Sequence, residues 1–487
     1  MMPLILSDVV AGTGGTLQGA LADDFKFARI ERDSRRVQAG DLFVAIRGEQ
    51  FDGHAFVAQA AANGATAALV GAAWAAAQAA PPLPLLVVEE PIAALQRLAR
   101  AWRDRLGERL TVVGITGSVG KTSTKEVVAA VLGGRFETYR SPGNLNNEIG
   151  LPLSLLEIGP NTEVAVLEMG GAYAFGELTL LAAIARPKIA VVTNIHPVHL
   201  ERMGSIEAIA ETKAELIAAL PADGVAVLNG DDPWVRAMAG RCWGRVLFYG
   251  LDRENDVWAS EVVSEALEGT TFWLHLDGER YHVKVPLVGG HAVDLALAGW
   301  AVGHALGMEI GEMLLGLKDP SIQVRLLVMP GPRGALLIDD TYNASTPSVL
   351  SALGLLASLK PKRAIAVLGD MRELGPLAEE EHRVVGRRAG EVADLIVTYG
   401  ELATLIAEEA RQATGRDDGQ PPVVQSFGLD QRGALLGYLL GVLREGDVVL
   451  LKGSRGLRME ELVEALRADI GEGAPATDSE DQPAADQ

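Results

Sequence analysis

Gly114-Ile-Thr-Gly117-Ser-Val-Gly120-Lys121-Thr122-Ser123 follows the apolar run Leu110-Thr-Val-Val113 and precedes Lys125-Glu-Val-Val-Ala-Ala-Val-Leu132, which has helical spacing. The order reads strand, glycine loop, helix, the context a phosphate-binding loop requires. Glycines let successive backbone N–H groups curl around phosphate oxygens, and the helix start adds partial positive charge. Gly117, Ser118, Gly120 and Ser123 line the expected cradle. Lys121 supplies a mobile cation, and the Thr122 hydroxyl is a candidate Mg²⁺ ligand. The position five before Gly120 is Ile115 rather than glycine. An ordinary tight turn is the competing reading, and Gly-Lys-Thr-Ser at a helix start disfavours it.

Outward from the loop, short β-branched runs alternate with Ala/Leu/Glu-rich amphipathic stretches, which implies parallel sheets covered by helices. Val164-Ala-Val-Leu167, Ile189-Ala-Val-Val192 and Val225-Ala-Val-Leu228 read as buried strands ending in Glu168, Thr193-Asn194 and Asn229-Gly-Asp-Asp232. Ligands of open α/β sheets sit beyond such carboxyl ends, so the three endings are expected to converge near the loop. Thr270 to Val285 alternates like an antiparallel hairpin, and a helix is expected from about His291 to Leu306. Further strands are expected at Ala335–Ile338, Ala364–Leu368, Leu395–Val397 and Val448–Leu451. Upstream, the uncharged stretch from Ala55 to Val88 is broken by Asn63-Gly64 and three prolines. It reads as helix, strand, helix, strand rather than a membrane span. Gly12-Thr-Gly14-Gly15 reads as a turn. The fold class is α/β with three domains: 1–107, a central phosphate-loop domain at 108–320, and a doubly wound domain at 321–470. Residues 471–487 read as a disordered acidic tail.

The 487 residues are 48% hydrophobic, enough for a core in each domain, and carry a net charge of −21, which argues against nonspecific nucleic-acid binding. A lone cysteine, Cys242, excludes an internal disulfide and fits a reducing compartment. Met-Met-Pro-Leu-Ile-Leu-Ser-Asp at the start lacks a basic region and a long apolar core, so no secretory leader is expected.

Several polar residues stand where chemistry is done. Glu168 ends a buried strand and can complete a Mg²⁺ shell begun by Thr122, since Mg²⁺ takes few protein oxygens beside phosphates and water. His196 and His199 lie three apart, but no third ligand has zinc spacing; His199 is the better placed to face a metal-bound phosphate. Lys213, flanked by acids on a helix, reads alone as a solvated face. Asp339-Asp340-Thr-Tyr342-Asn343 ends a strand and suits ribose hydroxyls or an incoming amine, with an Asx-turn as the bland alternative. Lys452-Gly-Ser-Arg455 offers cations to an anion. Asp33-Ser34-Arg35-Arg36, Arg47 and Asp52-Gly-His54, beside Phe43 and Phe51, suit a sugar-nucleotide.

Taken together, these segments resemble the Mur ligases, ATP-dependent amide-forming enzymes of peptidoglycan assembly. The likeness runs from about Asp33 to Leu466 and rests most on the phosphate loop, Gly143-Asn-Leu-Asn-Asn-Glu-Ile-Gly-Leu-Pro152, Leu167-Glu-Met-Gly170, Asp339-Asp-Thr-Tyr-Asn-Ala344, Val367-Leu-Gly-Asp-Met-Arg-Glu-Leu-Gly375 and Lys452-Gly-Ser-Arg455. The Asn-Leu-Asn-Asn and Asp-Asp-Thr-Tyr-Asn-Ala pieces resemble the dipeptide-adding member; the Asp-Asn-Pro-Arg motif of the diamino-acid-adding member is absent. The resemblance implies a first domain for a UDP-sugar, a second for ATP, and a Rossmann-like third that closes over the site. It implies UDP-N-acetylmuramoyl-tripeptide and D-alanyl-D-alanine as substrates of a cytoplasmic monomer, with no nucleic acid or membrane partner. It also implies two Mg²⁺ placed by Thr122, Glu168 and His199, and a carbamylated lysine at Lys213, overriding the solvated-face reading. Lys121, His199, Lys213 and Arg325 would be catalytic, Arg325 reaching the ATP phosphates. Asp340 would contact ribose, and Ser34, Arg35, Asn146, Asn147, Tyr342, Asn343 and Lys452 the other substrates.

Three departures stand out. Gly289-Gly-His291-Ala292-Val-Asp294 lacks both asparagines of the family's adenine-facing stretch, Val324-Arg325 replaces Gly-Arg, and Asn343-Ala-Ser345-Thr346-Pro347 replaces Asn-Ala-Asn-Pro. A ligase of the same fold with another amino acceptor is the nearest alternative. A nucleotide-hydrolysing switch is the alternative from a different class.

Overall fold

The computed structural model describes residues 4–48, 51–171, 174–198, 200–265, 268–317, 327–413 and 420–473. His199, Val324, Arg325 and the tail beyond 473 lie outside the described residues. The last described helix, Glu460–Gly473, runs past position 471, where the sequence reading began the tail.

The chain forms two compact units. The first holds the described residues as far as Val263, then Gly269–Leu287 and the described residues from Ala292 to 317. The second holds the described residues from 327 onward, with Val288–His291 and the described residues between Ser264 and Glu268.

The first unit is built on a nine-stranded sheet in the order Glu279–Val285, Thr270–Leu276, Val257–Ser264, Arg245–Gly250, Val225–Asn229, Ile189–Val192, Thr111–Thr116, Val164–Glu168, Thr138–Arg140. Every pairing from Thr138–Arg140 through to Val257–Ser264 is parallel. The central strands Thr111–Thr116, Val164–Glu168, Ile189–Val192 and Val225–Asn229 are near-continuous apolar runs, as strands covered by helices on both faces are. Thr111–Thr116 has Val164–Glu168 on one side and Ile189–Val192 on the other. The chain thus reverses its direction of winding at the strand that feeds the phosphate loop, the position at which open α/β sheets bind ligands. The expected hairpin is present, with Trp273 opposite His282, and it extends the same sheet. The expected helix spans Ala292–Ala305.

A five-stranded sheet sits earlier in this unit, ordered Thr16–Gln18, Leu85–Val88, Ala67–Gly71, Leu42–Val44, Ile30–Glu31. Helices Val57–Ala62 and Ala72–Ala76 flank Ala67–Gly71, so the uncharged stretch folds in the expected order. Among the described residues no helix is long and apolar enough to cross a membrane. Gly14 caps helix Leu6–Thr13 at φ 67°, a left-handed position that glycine takes without a Cβ clash.

Helix Pro91–Leu106 joins the two sheets. Its Leu95, Leu98, Ala99, Trp102 and Leu106 recur at helical spacing and share one core with Leu4, Leu6, Leu155, Leu181 and Leu216. Trp102 Nε1 donates to Ile158 O at 3.2 Å. The Arg103 guanidinium donates to three carbonyls, Ala185, Gly107 and Leu110, at 3.0–3.2 Å. Burial lowers the Arg103 pKa, a cost offset by those donors.

The second unit has a six-stranded sheet ordered Leu327–Pro330, Leu336–Asp339, Asp447–Lys452, Arg363–Gly369, Leu395–Tyr399, Val423–Phe427. Four strands stand where expected. The two edges were not expected: Leu327–Pro330 pairs antiparallel, and Val423–Phe427 is half-exposed and lacks a buried strand's apolar run. Cores on both sheet faces make this a doubly wound unit.

Candidate active site

The phosphate loop is shaped by two glycines and closed by the neighbouring strand's ending. Gly117 has φ 143° and Gly120 φ 85°. A Cβ on Gly117 would lie 2.0 Å from Thr193 Oγ1, so only glycine fits. Ser118 N donates to Asn194 O at 2.9 Å, and Ser118 Oγ exchanges hydrogen bonds with the backbone of His196. His196 is thus tied to the loop through its backbone. Asn194 binds both backbone groups of Val119, and Thr193 Oγ1 donates to Val119 O at 2.8 Å. Lys121 opens helix Lys121–Gly133, and its Nζ donates back to Gly117 O at 2.8 Å and Ser118 O at 3.2 Å. The ammonium is therefore held over the cradle. Ser123 is on the first turn of the same helix.

Behind the loop, buried Thr122 donates through Oγ1 to Glu168 Oε2, and Asn146 Nδ2 donates to Glu168 Oε1 at 2.8 Å. Glu168 N donates to Ser141 Oγ at 3.2 Å. The carboxylate is thus held at both oxygens, and the residue's backbone amide by Ser141. Asn147 Oδ1 accepts from Gly150 N, at the start of helix Gly150–Leu156, at 2.8 Å. Among the described residues no group of three or more His, Cys, Asp or Glu is arranged to hold a metal ion. The donor set here is a hydroxyl and a carboxylate, hard oxygens few in number, which suits Mg²⁺ in company with phosphates and water.

Lys213 is buried, not on a solvated face. Its Nζ donates to Gly171 O at 2.5 Å and Gly170 O at 3.1 Å, directly after the Glu168 strand. Burial, helped by the nearby Lys121 charge, pushes its pKa down to about 7, against the opposing pull of Glu177 and Glu215. The side chain spacing alone could not reveal this, because the acids at positions 211 and 215 suggest solvent. Glu215 instead caps helix Glu177–Ala185 through Gly176 N and Thr179 N.

The ending of Val225–Asn229 serves the loop indirectly. Asn229 Nδ2 donates to Thr193 O, and Asp232 Oδ2 accepts from Ile195 N at 2.7 Å. Of the three expected endings, two flank the phosphate loop and this one braces its neighbour.

Of the two aromatic residues expected beside the sugar-nucleotide candidates, one is placed elsewhere. Phe43 is buried in the core rather than lining a surface. Ser34 Oγ donates to Gln59 Oε1 at 2.7 Å, and Arg35 pairs with Asp33 at 2.7 Å. The Arg35 guanidinium holds the Asp33 carboxyl down at about 2. His54 bridges Asp52 and Gly71 N. Phe51 and Arg47 remain exposed.

In the second unit Asp339 forms the Asx-turn weighed earlier, accepting from Thr341 N at 3.0 Å. Lys452 is 2% exposed and donates to Asp340 Oδ2 at 2.6 Å and Asn343 O at 2.9 Å. It therefore positions Asp340 rather than facing solvent. Arg455 lies over the Tyr342 ring at 5.3 Å.

Three family models match the chain: "Mur ligase family, catalytic domain" over 26–103, "Mur ligase middle domain" over 115–303, and "Mur ligase, glutamate ligase domain" over 324–455. UDP-N-acetylmuramoyl-tripeptide–D-alanyl-D-alanine ligase of Bacillus subtilis (strain 168) is 36% identical, covering 96% of this chain and 99% of its own. The Escherichia coli (strain K12) protein of the same name is 34% identical with the same coverage. Among solved structures, MurF from Acinetobacter baumannii aligns at TM-score 0.83 and 30% identity over 96% of this chain and 99% of its own. MurF ligase from Thermotoga maritima in complex with ADP aligns at TM-score 0.75 and 30% identity over 92% and 98%. With a glycine cradle, an oxygen donor pair behind it and full-length relatives of one kind, the chain belongs to the Mur ligase family.

Proposed function

We propose that this chain joins D-alanyl-D-alanine to UDP-N-acetylmuramoyl-tripeptide, forming one peptide bond as ATP becomes ADP and phosphate, in the cytoplasm and as a monomer. The observation that carries the reading is full-length likeness to ligases of that name, combined with a phosphate loop backed by Thr122 and Glu168. We divide the chain into 1–107 for the UDP-sugar, 108–320 for ATP and 321–470 as the Rossmann-like domain; the bounds of the three family matches support the division.

The chemistry follows from the substrates. A peptide carboxylate is a poor electrophile at neutral pH. Transfer of the γ-phosphoryl group to it makes an acyl phosphate, which the dipeptide amine attacks; the tetrahedral intermediate collapses and phosphate leaves. Loop N–H groups and Lys121 hold the transferring phosphates, and Arg325 adds a second cation. Thr122, Glu168, His199 and modified Lys213 would hold two Mg²⁺ ions, which would supply further charge neutralisation. Asn146 and Asn147 face the tripeptide, with Ser34 and Arg35 on the sugar-nucleotide side. Asp340 holds the ribose, while Tyr342 and Asn343 meet the acceptor.

Lys213 is suited to carbamylation. A pKa near 7 leaves much of the amine neutral at physiological pH. The Nζ lone pair bonds to the carbon of CO₂, one N–H proton leaves, and an anionic carbamate results.

An acceptor panel read by mass spectrometry tests the reading. With ATP and UDP-N-acetylmuramoyl-tripeptide, D-alanyl-D-alanine should give the amide product and phosphate, and omission of either partner should stop phosphate release. Product from a diamino acid or glutamate instead would replace the acceptor. Acceptor-independent phosphate release without any amide would refute the ligase.

A further inference from the structure

We propose that Lys125 is a positioning residue whose ammonium locks the segment carrying Asn146 to the phosphate-loop helix, and so sets the tripeptide-facing asparagine against the Glu168 carboxylate. The proposal rests on the ligase reading above. Lys125 lies on helix Lys121–Gly133 and is fully buried at 0% exposure. Its Nζ lies 2.6 Å from Ser141 O, 2.9 Å from Gly143 O and 3.0 Å from Glu126 Oε1. An ammonium has three donors, and each has an oxygen here. Glu126 Oε2 in turn lies 3.0 Å from Arg140 Nε, at the end of the strand leading into the same segment.

What the lysine holds is the connection between strand Thr138–Arg140 and helix Gly150–Leu156. Gly143 turns there at φ 55°. Ser141, at one end of the clamp, accepts from Glu168 N through its hydroxyl. Three residues beyond Gly143, Asn146 donates to Glu168 Oε1 and accepts from Gly170 N through its carbonyl at 2.7 Å. Glu168 is therefore gripped through its amide and through one carboxylate oxygen by the segment Lys125 pins. Its other oxygen is met by Thr122, one helical turn before Lys125. Packing alone does not require the Lys125–Glu126 pair, because a buried ion pair replaced as a whole by apolar side chains of similar volume is often no less stable. Val127, Val128 and Val131 fill neighbouring places on this helix. A buried ammonium adds a fixed location for two loop carbonyls, which an apolar side chain cannot give.

The test is steady-state kinetics with ATP, UDP-N-acetylmuramoyl-tripeptide and D-alanyl-D-alanine on the full chain. Wild type is compared with Lys125→Met, Lys125→Gln, Asn146→Ala and Lys125→Met/Asn146→Ala, with thermal unfolding of each. Lys125→Met is expected to raise KM for the tripeptide substrate about 10-fold, and that for ATP by less than about 3-fold. Asn146→Ala should give the same split, and the double variant should be no worse than the poorer single one. Lys125→Gln, whose amide keeps two N–H donors, should recover part of the loss. Equal rises in both KM values, multiplying effects in the double variant, or failure of both Lys125 variants to fold would each overturn the proposal, leaving the lysine a stability residue. If wild type forms no amide, the ligase reading falls first; if it does and Lys125→Met is unchanged, only this proposal falls.

Discussion

Asn194 closes the phosphate loop around Val119: its Oδ1 accepts from Val119 N at 2.9 Å while its Nδ2 donates to Val119 O at 3.1 Å. One side-chain amide thus matches both backbone groups of a loop residue, as a strand partner would. Asn194→Asp keeps the shape and loses the donor. It should remove one of the two donors to Val119 O, Thr193 Oγ1 remaining, at a cost of about 0.5–1.5 kcal/mol, expressed mainly as weaker nucleotide binding. Calorimetric titration with ADP checks this; unchanged affinity would refute it.

Thr122 and Glu168 meet behind that loop. Thr122→Ala and Glu168→Gln should each lower kcat by roughly 10²- to 10³-fold, the scale of losing a preorganised electrostatic group. Both should still fold. A Mg²⁺ titration of activity should shift to higher concentration in each, and an unmoved midpoint would show that neither oxygen faces the metal.

Lys213 gives a pH dependence with a definite sign. Its folded pKa of about 7 lies below the free value of 10.5, so between those values the unfolded chain binds more protons. Stability from this group therefore rises as pH climbs from 7 toward 10.5, and below 7 both states are protonated and the slope vanishes. Lys213→Met should flatten that rise in urea unfolding. For activity, Lys213→Ala should lose turnover that small carboxylates partly restore, and ¹³C-bicarbonate should give a carbamate signal in wild type alone. Full turnover in Lys213→Ala would end the carbamate role.

In the second unit, Lys452 and Asp340 form an ion pair with Lys452 buried. Lys452→Met alone should destabilise by about 3–5 kcal/mol, because one partner of a buried pair is removed. Asp340→Asn in the Lys452→Met background should recover part of that loss. A double-mutant cycle by thermal unfolding measures the coupling, and strict additivity would show the pair contributes nothing jointly.

Much of this was legible in the sequence where local chemistry dictates geometry. Glycines at 117 and 120, an apolar run before them and Lys121-Thr122 after them fix strand, loop and helix without help from distant contacts. Strict alternation marked the hairpin at Thr270–Leu276. Positions decided by distant partners were not legible. Lys125 and Lys213 both occur among helical residues with acids nearby, the pattern of a wet surface, yet both are buried against carbonyls from other segments. Phe43 is an aromatic residue that went into the core, and Ser34 is spent on Gln59, because both answer to neighbours about 25 residues or more away in the chain or across the sheet. The edge strand Val423–Phe427 was missed because it has one exposed face and therefore no continuous apolar run.

Helix Pro91–Leu106 is a shared wall, with Trp102 and Arg103 anchored to backbone far along the chain. Cutting the gene after residue 107 would consequently release a fragment with a greasy, unmatched flank, prone to clump instead of staying in solution. Engineers wanting residues 1–107 by themselves would have to repaint that flank with polar side chains, or carry the neighbouring sheet along as ballast.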